Sequence, residues 1–149
     1  MLAHWIWLAT RSGIGVRSAL ALLRAFPDIE SLYGARAEDY VQAEGVDSKC
    51  LDALCDKSLS EANRILGSCL EKGIHVLTYQ DAAYPMRLKH IPDPPLTLYY
   101  QGNLPDFDAE PAVAVVGTRR ASAYGCMAAR GMGSQVARCG GVVVSGAAG

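Results

Sequence analysis

The fold is decided by the stretch AVAVVGTRRASAYG at residues 112–125, which is followed by VVVSGAAG at residues 142–149. Residues 112–116 form a continuous apolar run, which is typical of a parallel strand buried on both faces. A helix is predicted from about residue 122 to residue 139, with Gly140 and Gly141 ending it. Residues 142–144 predict a second buried strand. The segment is therefore interpreted as a strand–helix–strand unit of an α/β fold, and such a unit needs neighbouring strands to cover it. We expect it to be the incomplete first part of a longer domain.

The loops that follow these two strands carry the candidate ligand-binding residues. Parallel strands end at the same edge of a sheet, and α/β folds bind ligands at that edge. The free amides and the dipole at the start of the helix favour a phosphate there. The candidate residues are Gly117, Thr118, Arg119, Ser122, Ser145 and Gly146. The alternative is that Gly117 and Gly146 only permit tight turns.

The glycine pattern is not that of a dinucleotide-binding loop. Arg119 stands where the second glycine of that fingerprint belongs, and Gly131 and Gly133 lie inside the predicted helix. The sequence shows no catalytic triad, no P-loop and no paired-carboxylate motif. Five cysteines without a CxxC pair favour free thiols over disulfides or a metal site. We therefore expect no catalytic residue, no cofactor and no metal.

The front of the chain is predicted to be helical. Apolar patterns and stop signals predict helices at residues 16–26, 29–33, 37–43, 48–55 and 61–72, after an apolar segment at residues 5–8. Asp28 and Ser60 are the expected N-caps of two of them. Two β-rich segments follow, at residues 74–79 and 96–100. The predicted organisation is a helical domain at residues 1–72 and an α/β domain at residues 73–149.

A glycine turn near the amino terminus resembles a helix-hairpin-helix motif. Gly13, Ile14 and Gly15 are followed by Ala19, and such a hairpin offers backbone amides to one phosphate. Gly13, Gly15 and Arg17 are its candidate DNA contacts. The alternative is an ordinary helical bundle whose turn needs glycine. A second, degenerate hairpin is considered at residues 44–47, where Asp47 would repel phosphate.

Charge is segregated along the chain although its formal net value is only −1. Residues 1–27 carry three arginines and no acid, and residues 111–149 carry four arginines and no acid. Guanidinium groups match phosphate oxygens, so these ends suggest contact with phosphate or nucleic acid. The alternative is ordinary surface arginine, which charge alone does not displace. No signal peptide or membrane span is predicted, and a cytoplasmic location is expected.

Four segments together resemble the DprA family, also called Smf or DNA-processing protein A, of bacterial DNA uptake. They are YPxxL at 84–88, IPDPPxxLYxxG at 91–102, VVGTRxxSxYG at 115–125 and VSGxAG at 144–149. Many members have Gly-Ser-Arg where this chain has Gly117-Thr118-Arg119, a change that keeps the hydroxyl group.

The resemblance implies a sterile-alpha-motif-like or helix-hairpin-helix front domain and an extended Rossmann-like domain that binds single-stranded DNA. It further implies protection of incoming strands in natural transformation, loading of a RecA-type recombinase, and a homodimer without catalytic activity. Its phosphate pocket would comprise the six residues named above for the two strand-end loops.

Two other interpretations stay open. Related Rossmann proteins hydrolyse nucleoside monophosphates with acidic catalytic residues, which residues 111–149 lack. The chain would alternatively be a helical interaction module joined to a remnant of a Rossmann domain.

Overall fold

The protein is a mixed α/β chain, and the computed structural model describes residues 1–41, 43 and 45–146. Its first part contains α1 (Leu2–Thr10), α2 (Val16–Ala25), α3 (Ile29–Gly34), α4 (Ala37–Tyr40), α5 (Ser48–Cys55) and α6 (Ser60–Glu71). Its second part contains β1 (His75–Thr78), α7 (Met86–Lys89), β2 (Thr97–Tyr100), β3 (Ala112–Ala114), α8 (Ala123–Arg138) and β4 (Val142–Val144). No helix in the described part of the chain combines the length and the apolar character needed to cross a bilayer.

Two compact units divide these elements. The helical unit comprises Met1–Tyr84 and Leu88–Gly102, and the βαβ unit comprises Pro85–Arg87 and Asn103–Gly149. Compactness thus groups β1 and β2 with the helices. The domain organisation with a boundary between residues 72 and 73 stays a prediction.

Local signals in the sequence place most helices well. Asp28 is the N-cap of α3, as predicted, and its carboxylate accepts a hydrogen bond of 2.7 Å from the Ser31 amide. Helix α5 has the predicted bounds. The helix predicted at residues 37–43 ends at Tyr40, and position 42 lies outside the described residues. The prediction that Ser60 is the N-cap of α6 is wrong, because Leu59 occupies that position.

The core of the helical unit is built on α1. Trp5, Ile6, Trp7 and Leu8 are all 3% exposed or less, so this helix is covered on every side along its middle. Ala19 and Leu22 of α2 pack into the same cluster, together with residues of α3, α5 and α6. A helix that is apolar all round is expected at the centre of a fold rather than on its surface.

The segment between α5 and α6 is held against this core by contacts that are distant in sequence. The Trp7 indole donates to the Asp56 carbonyl at 2.8 Å, and Arg11 pairs with the Asp56 carboxylate. The Lys57 ammonium lies 4.8, 5.2 and 5.4 Å from the ring centres of Tyr40, Trp7 and Tyr33. Burial lowers the pKa of Lys57 and raises the pKa of Tyr40 to about 12. These contacts fix the loop that precedes α6.

Strands β1 and β2 form an antiparallel pair that packs on the helical core. His75 pairs with Tyr100 and Thr78 with Thr97. The pairing extends to a 2.9 Å hydrogen bond from the Tyr79 amide to the Leu96 carbonyl. Both strands lie within the segments predicted from their β-rich composition.

Strands β3 and β4 pair in parallel, with Ala112 opposite Val142 and Ala114 opposite Val144. Helix α8 connects them, so the predicted strand–helix–strand order is confirmed. The predicted burial of both faces of these strands is not observed in this chain, because Ala112–Ala114 are exposed and Val144 is 46% exposed. Two strands and one helix leave one face and both edges of a sheet open.

Candidate functional site

A cleft of about 470 Å³ lies at the carboxyl ends of β3 and β4, next to the start of α8. Parallel pairing brings the ends of both strands to one edge, and the 2.9 Å hydrogen bond from the Val115 amide to the Val144 carbonyl continues the pairing to the cleft. The lining residues come from both loops and from one face of the helix: Val115, Val116, Gly117, Thr118, Ala121, Ser122, Gly125, Cys126, Ala129, Ser145 and Gly146.

Five of the six predicted residues are brought together here. Gly117, Thr118 and Ser122 come from the first loop, and Ser145 and Gly146 come from the second. The sixth residue, Arg119, is exposed in the first loop but is not among the residues that line the cleft. Residues 147–149, which the sequence also assigns to the second loop, lie outside the described part of the chain.

Ser122 organises the start of α8. It is the N-cap, with extended backbone angles, and its Oγ accepts a 3.1 Å hydrogen bond from the Gly125 amide. A hydroxyl that accepts through a lone pair keeps its proton for donation to a ligand. Helix α8 has 16 residues, so the positive end of its dipole lies at this edge of the cleft.

Thr118 shapes the loop rather than offering its proton to the cleft. Its Oγ1 donates to the Arg120 carbonyl at 3.0 Å. This bond closes the turn that leads into α8. The side chains of Arg119 and Arg120 are exposed on that turn, so two positive charges lie beside the first loop.

At the glycines of the two loops, the space that a side chain would occupy is open. A Cβ built on Gly117 or on Gly146 meets no other heavy atom within 4 Å. Neither residue is among the described glycines with positive φ, so neither backbone conformation requires glycine. The tight-turn explanation therefore does not account for these two glycines, whereas close approach of a ligand would use the space.

The sequence interpretation missed the helix face of the cleft. Gly125, Cys126 and Ala129 follow Ser122 by three, four and seven positions and line the cleft with it. This is the spacing of one face of an α-helix. Counting forward from Ser122, near which the sequence predicts the start of the helix, would have found all three.

The glycine turn near the amino terminus lies between α1 and α2. Gly13 has a φ of +100°, and a Cβ there would lie 3.3 Å from the Lys49 carbonyl oxygen. Glycine is therefore needed for backbone geometry and for packing against α5, independently of any ligand. Gly15 is the N-cap of α2, and Arg17 is exposed in its first turn.

The degenerate hairpin considered at residues 44–47 includes position 44, which lies outside the described residues. The Asp47 carboxylate accepts a 2.8 Å hydrogen bond from the Cys50 amide and caps α5. Asp47 therefore has a structural role at the start of a helix.

Comparison with known proteins gives consistent similarities. Protein Smf of Synechocystis sp. is 29% identical over 154 aligned residues, which cover 98% of this chain and 38% of that protein. DNA processing protein DprA of Bacillus subtilis is 34% identical over 85 residues, covering 57% of this chain and 29% of that protein. Protein Smf of Borreliella burgdorferi is 42% identical over 64 residues, covering 43% of this chain and 20% of that protein. No solved structure matches the chain significantly.

The chain thus spans between a fifth and two fifths of the length of these relatives. The profile of the family described as DNA recombination-mediator protein A matches residues 75–149, which is half of the chain and includes the whole cleft. The chain belongs to this family, which is also that of the proteins named DprA and Smf.

Proposed function

We propose that the chain contributes to a surface that binds single-stranded DNA, with a backbone phosphate of the strand in the cleft between the two loops. The observation that carries this proposal is the open space at Gly117 and Gly146 beside the start of α8. Helix starts and glycine-rich loops are common places for phosphate groups.

The charges around the cleft support the same ligand. Residues 111–149 contain no acid, so no carboxylate of this segment offsets the positive charges beside the cleft. Arg119 and Arg120 are exposed next to the first loop, where they would contact phosphates on either side of the one in the cleft. Among the described residues the cleft has no acidic lining, so it offers no carboxylate for hydrolysis of a nucleotide. We accordingly propose a non-enzymatic role.

For the whole protein, family membership supports the remaining parts of the proposal. These are a front domain of the sterile-alpha-motif or helix-hairpin-helix type and an extended Rossmann-like domain that follows it. The protein would act as a cytoplasmic homodimer that protects incoming single strands during natural transformation and loads a RecA-type recombinase onto them.

The test is fluorescence anisotropy with a labelled oligothymidylate and a duplex of the same length, at several salt concentrations. We expect the chain to prefer the single strand and to lose affinity steeply as salt rises. Gly117→Leu fills the open space in front of the first loop and should abolish most of the binding without unfolding the chain. Arg119→Gln should weaken binding severalfold through the loss of one phosphate contact.

Arg138→Gln is the matched control, because Arg138 lies in the last turn of the same helix, away from the cleft residues. Its affinity should equal that of the unsubstituted chain. Unchanged affinity in both Gly117→Leu and Arg119→Gln would refute the proposed cleft. Binding that is lost equally in all three variants would show only a general effect of charge and folding, which also contradicts it.

A further inference from the structure

The exposed face of α2 in the helical unit carries two arginines that have no carboxylate partner among the described residues. Arg17 and Arg24 are seven residues apart and both are exposed. Seven residues are almost two helical turns, so both side chains lie on one face, separated by about 10 Å along the axis. The opposite face, with Ala19 and Leu22, is buried in the core.

Most other arginines of this unit are neutralised. Arg11 pairs with Asp56, Arg36 with Glu38 at 3.6 Å, and Arg64 with Glu61 at 2.6 Å. Neither Arg17 nor Arg24 forms an ion pair with any carboxylate of the described residues. The segment from residue 1 to residue 27 contains no acid, so no residue of that segment compensates the positive charge of this face.

A cleft of about 390 Å³ lies between the two arginines. Ser18, Leu20 and Ala21 form its side on α2, and Gly45 and Pro92 form the other side. The Ser18 hydroxyl donates to the Gly45 carbonyl at 2.7 Å and ties the two sides together. The volume is in the range of sites that hold small organic groups.

The cleft combines charge at its ends with apolar surface between them. Leu20, Ala21 and Pro92 offer carbon atoms, and among the described lining residues there is no acid. A single-stranded nucleic acid has the matching pattern, because its phosphates alternate with unpaired sugar and base groups. A duplex would present its phosphates while its bases remain stacked and paired inside.

We propose that this face of α2 is a second contact for the backbone of single-stranded DNA, with phosphates at Arg17 and Arg24 and the intervening nucleoside against Leu20, Ala21 and Pro92. The proposal rests on the single-strand binding proposed above. It shares Arg17 with the predicted hairpin contact but differs from it in using Arg24 and the cleft of α2 rather than the amides at Gly13 and Gly15. The Gly13 turn serves the packing of α5.

The test measures the affinity of the chain for labelled oligothymidylate as a function of salt. The double variant Arg17→Gln/Arg24→Gln should bind roughly tenfold more weakly at low salt. Its plot of log affinity against log salt should be less steep by about 1.4, because each phosphate contact on a single strand contributes about 0.7. Affinity for a duplex of equal length should change less than affinity for the single strand.

The matched control is Arg36→Gln/Arg64→Gln, which makes the same change of charge in the same unit at two arginines that are already paired. Thermal unfolding followed by circular dichroism should give similar midpoints for both double variants. Equal affinity and equal salt dependence in the two double variants would overturn the inference. So would an equal loss for duplex and single strand.

The two proposals fail in different ways. If Gly117→Leu abolishes binding while Arg17→Gln/Arg24→Gln has no effect, the second contact is refuted and the first cleft stands. If the α2 variant weakens binding while Gly117→Leu and Arg119→Gln do not, the proposed cleft is refuted and the α2 contact stands. If the unsubstituted chain binds no single strand at low salt, both are refuted.

Discussion

Trp7 and Tyr40 of the helical unit are 1% exposed or less, whereas Val116, Tyr124 and Met127 of the βαβ unit are 87%, 75% and 66% exposed. In the first unit, apolar residues are explained by the core in which they pack. In the second, no described residue from 103 to 146 is buried. The elements of the βαβ unit are held by backbone pairing and by the Ser122 cap, and its apolar residues are exposed because two strands and one helix cannot cover them. Apolar residues of the helical unit are therefore explained by the core in which they pack, whereas those of the βαβ unit are explained by the further strands that such a unit needs.

The largest expected effect is the loss of stability when a core residue of the helical unit is truncated. Trp7→Ala removes a buried ring and the hydrogen bond to the Asp56 carbonyl, and it should lower the free energy of unfolding by about 3–5 kcal/mol. Met127→Ala, at an exposed position of α8, should change it by no more than about 0.5 kcal/mol. Urea unfolding followed by far-ultraviolet circular dichroism compares the two. Similar losses would mean that α8 is as well packed as α1.

An intermediate loss of stability is expected from a substitution at Gly141, which has close neighbours within the βαβ unit. A Cβ on Gly141 would lie 2.9 Å from Val136 Cγ1 and 3.1 Å from the Pro111 carbonyl oxygen. Gly141→Ala should therefore destabilise the junction of α8 and β4 by about 1–3 kcal/mol. Hydrogen exchange of peptides from α8 and β4, read by mass spectrometry, should become faster.

Gly131→Ala is the control for that measurement. Gly131 lies inside α8 with nothing within 4 Å of a built Cβ, and alanine favours a helix over glycine by about 0.5–1 kcal/mol. Exchange in α8 should become slower. If exchange also became slower in Gly141→Ala, the close contacts around Gly141 would be contradicted, because the junction would accommodate the added methyl group.

The smallest expected effect is the contribution of the Asp28 N-cap of α3 to the pH dependence of stability. The hydrogen bond from the Ser31 amide lowers the pKa of Asp28 below its usual value of 3.8. A lowered carboxyl pKa stabilises the fold above that value, and the stabilisation is lost as the pH falls through the lower pKa of the folded state.

Asp28→Asn keeps a capping oxygen but cannot titrate. Thermal unfolding should show that the unsubstituted chain is more stable than this variant at neutral pH, and that the difference disappears once the pH falls below the pKa of the folded-state carboxyl group. Asp93→Asn serves as the control, because Asp93 is exposed and forms no hydrogen bond within the described residues. A difference that persists in acid would contradict the assigned role of the carboxylate.

Local chemistry made much of the fold predictable. The Asp28 cap, the bounds of α5 and the strand–helix–strand order all follow from residues that are close in sequence. The start of α6 was not predictable in this way. Arg11 and Trp7 hold the loop before α6 from more than 40 residues away, and no local pattern records such contacts.

The residues of the two loops that form the candidate cleft were predictable, but the position of each side chain was not. The two loops can be found because a glycine and a hydroxyl follow each apolar run, and parallel pairing brings the loops together. The placement of Arg119 outside the lining was not predictable, because it depends on how the turn closes through Thr118 and Arg120. Within the described part of the chain Arg17 and Arg24 form no ion pair, and this depends on which acids fold near them, which a charge count does not give.

The contact of the Trp7 indole with the Asp56 carbonyl also bears on the order of events during synthesis. The two residues are 49 positions apart, so the loop before α6 reaches its place only after the chain between them has been made and closed. Helices α2 and α3 can cover part of α1 once they are made, but the side of α1 that packs on α6 stays exposed until that later segment has left the ribosome. The side of α1 that contacts α6 is therefore protected later than the rest of the helix, and for that interval it is a natural target of a chaperone.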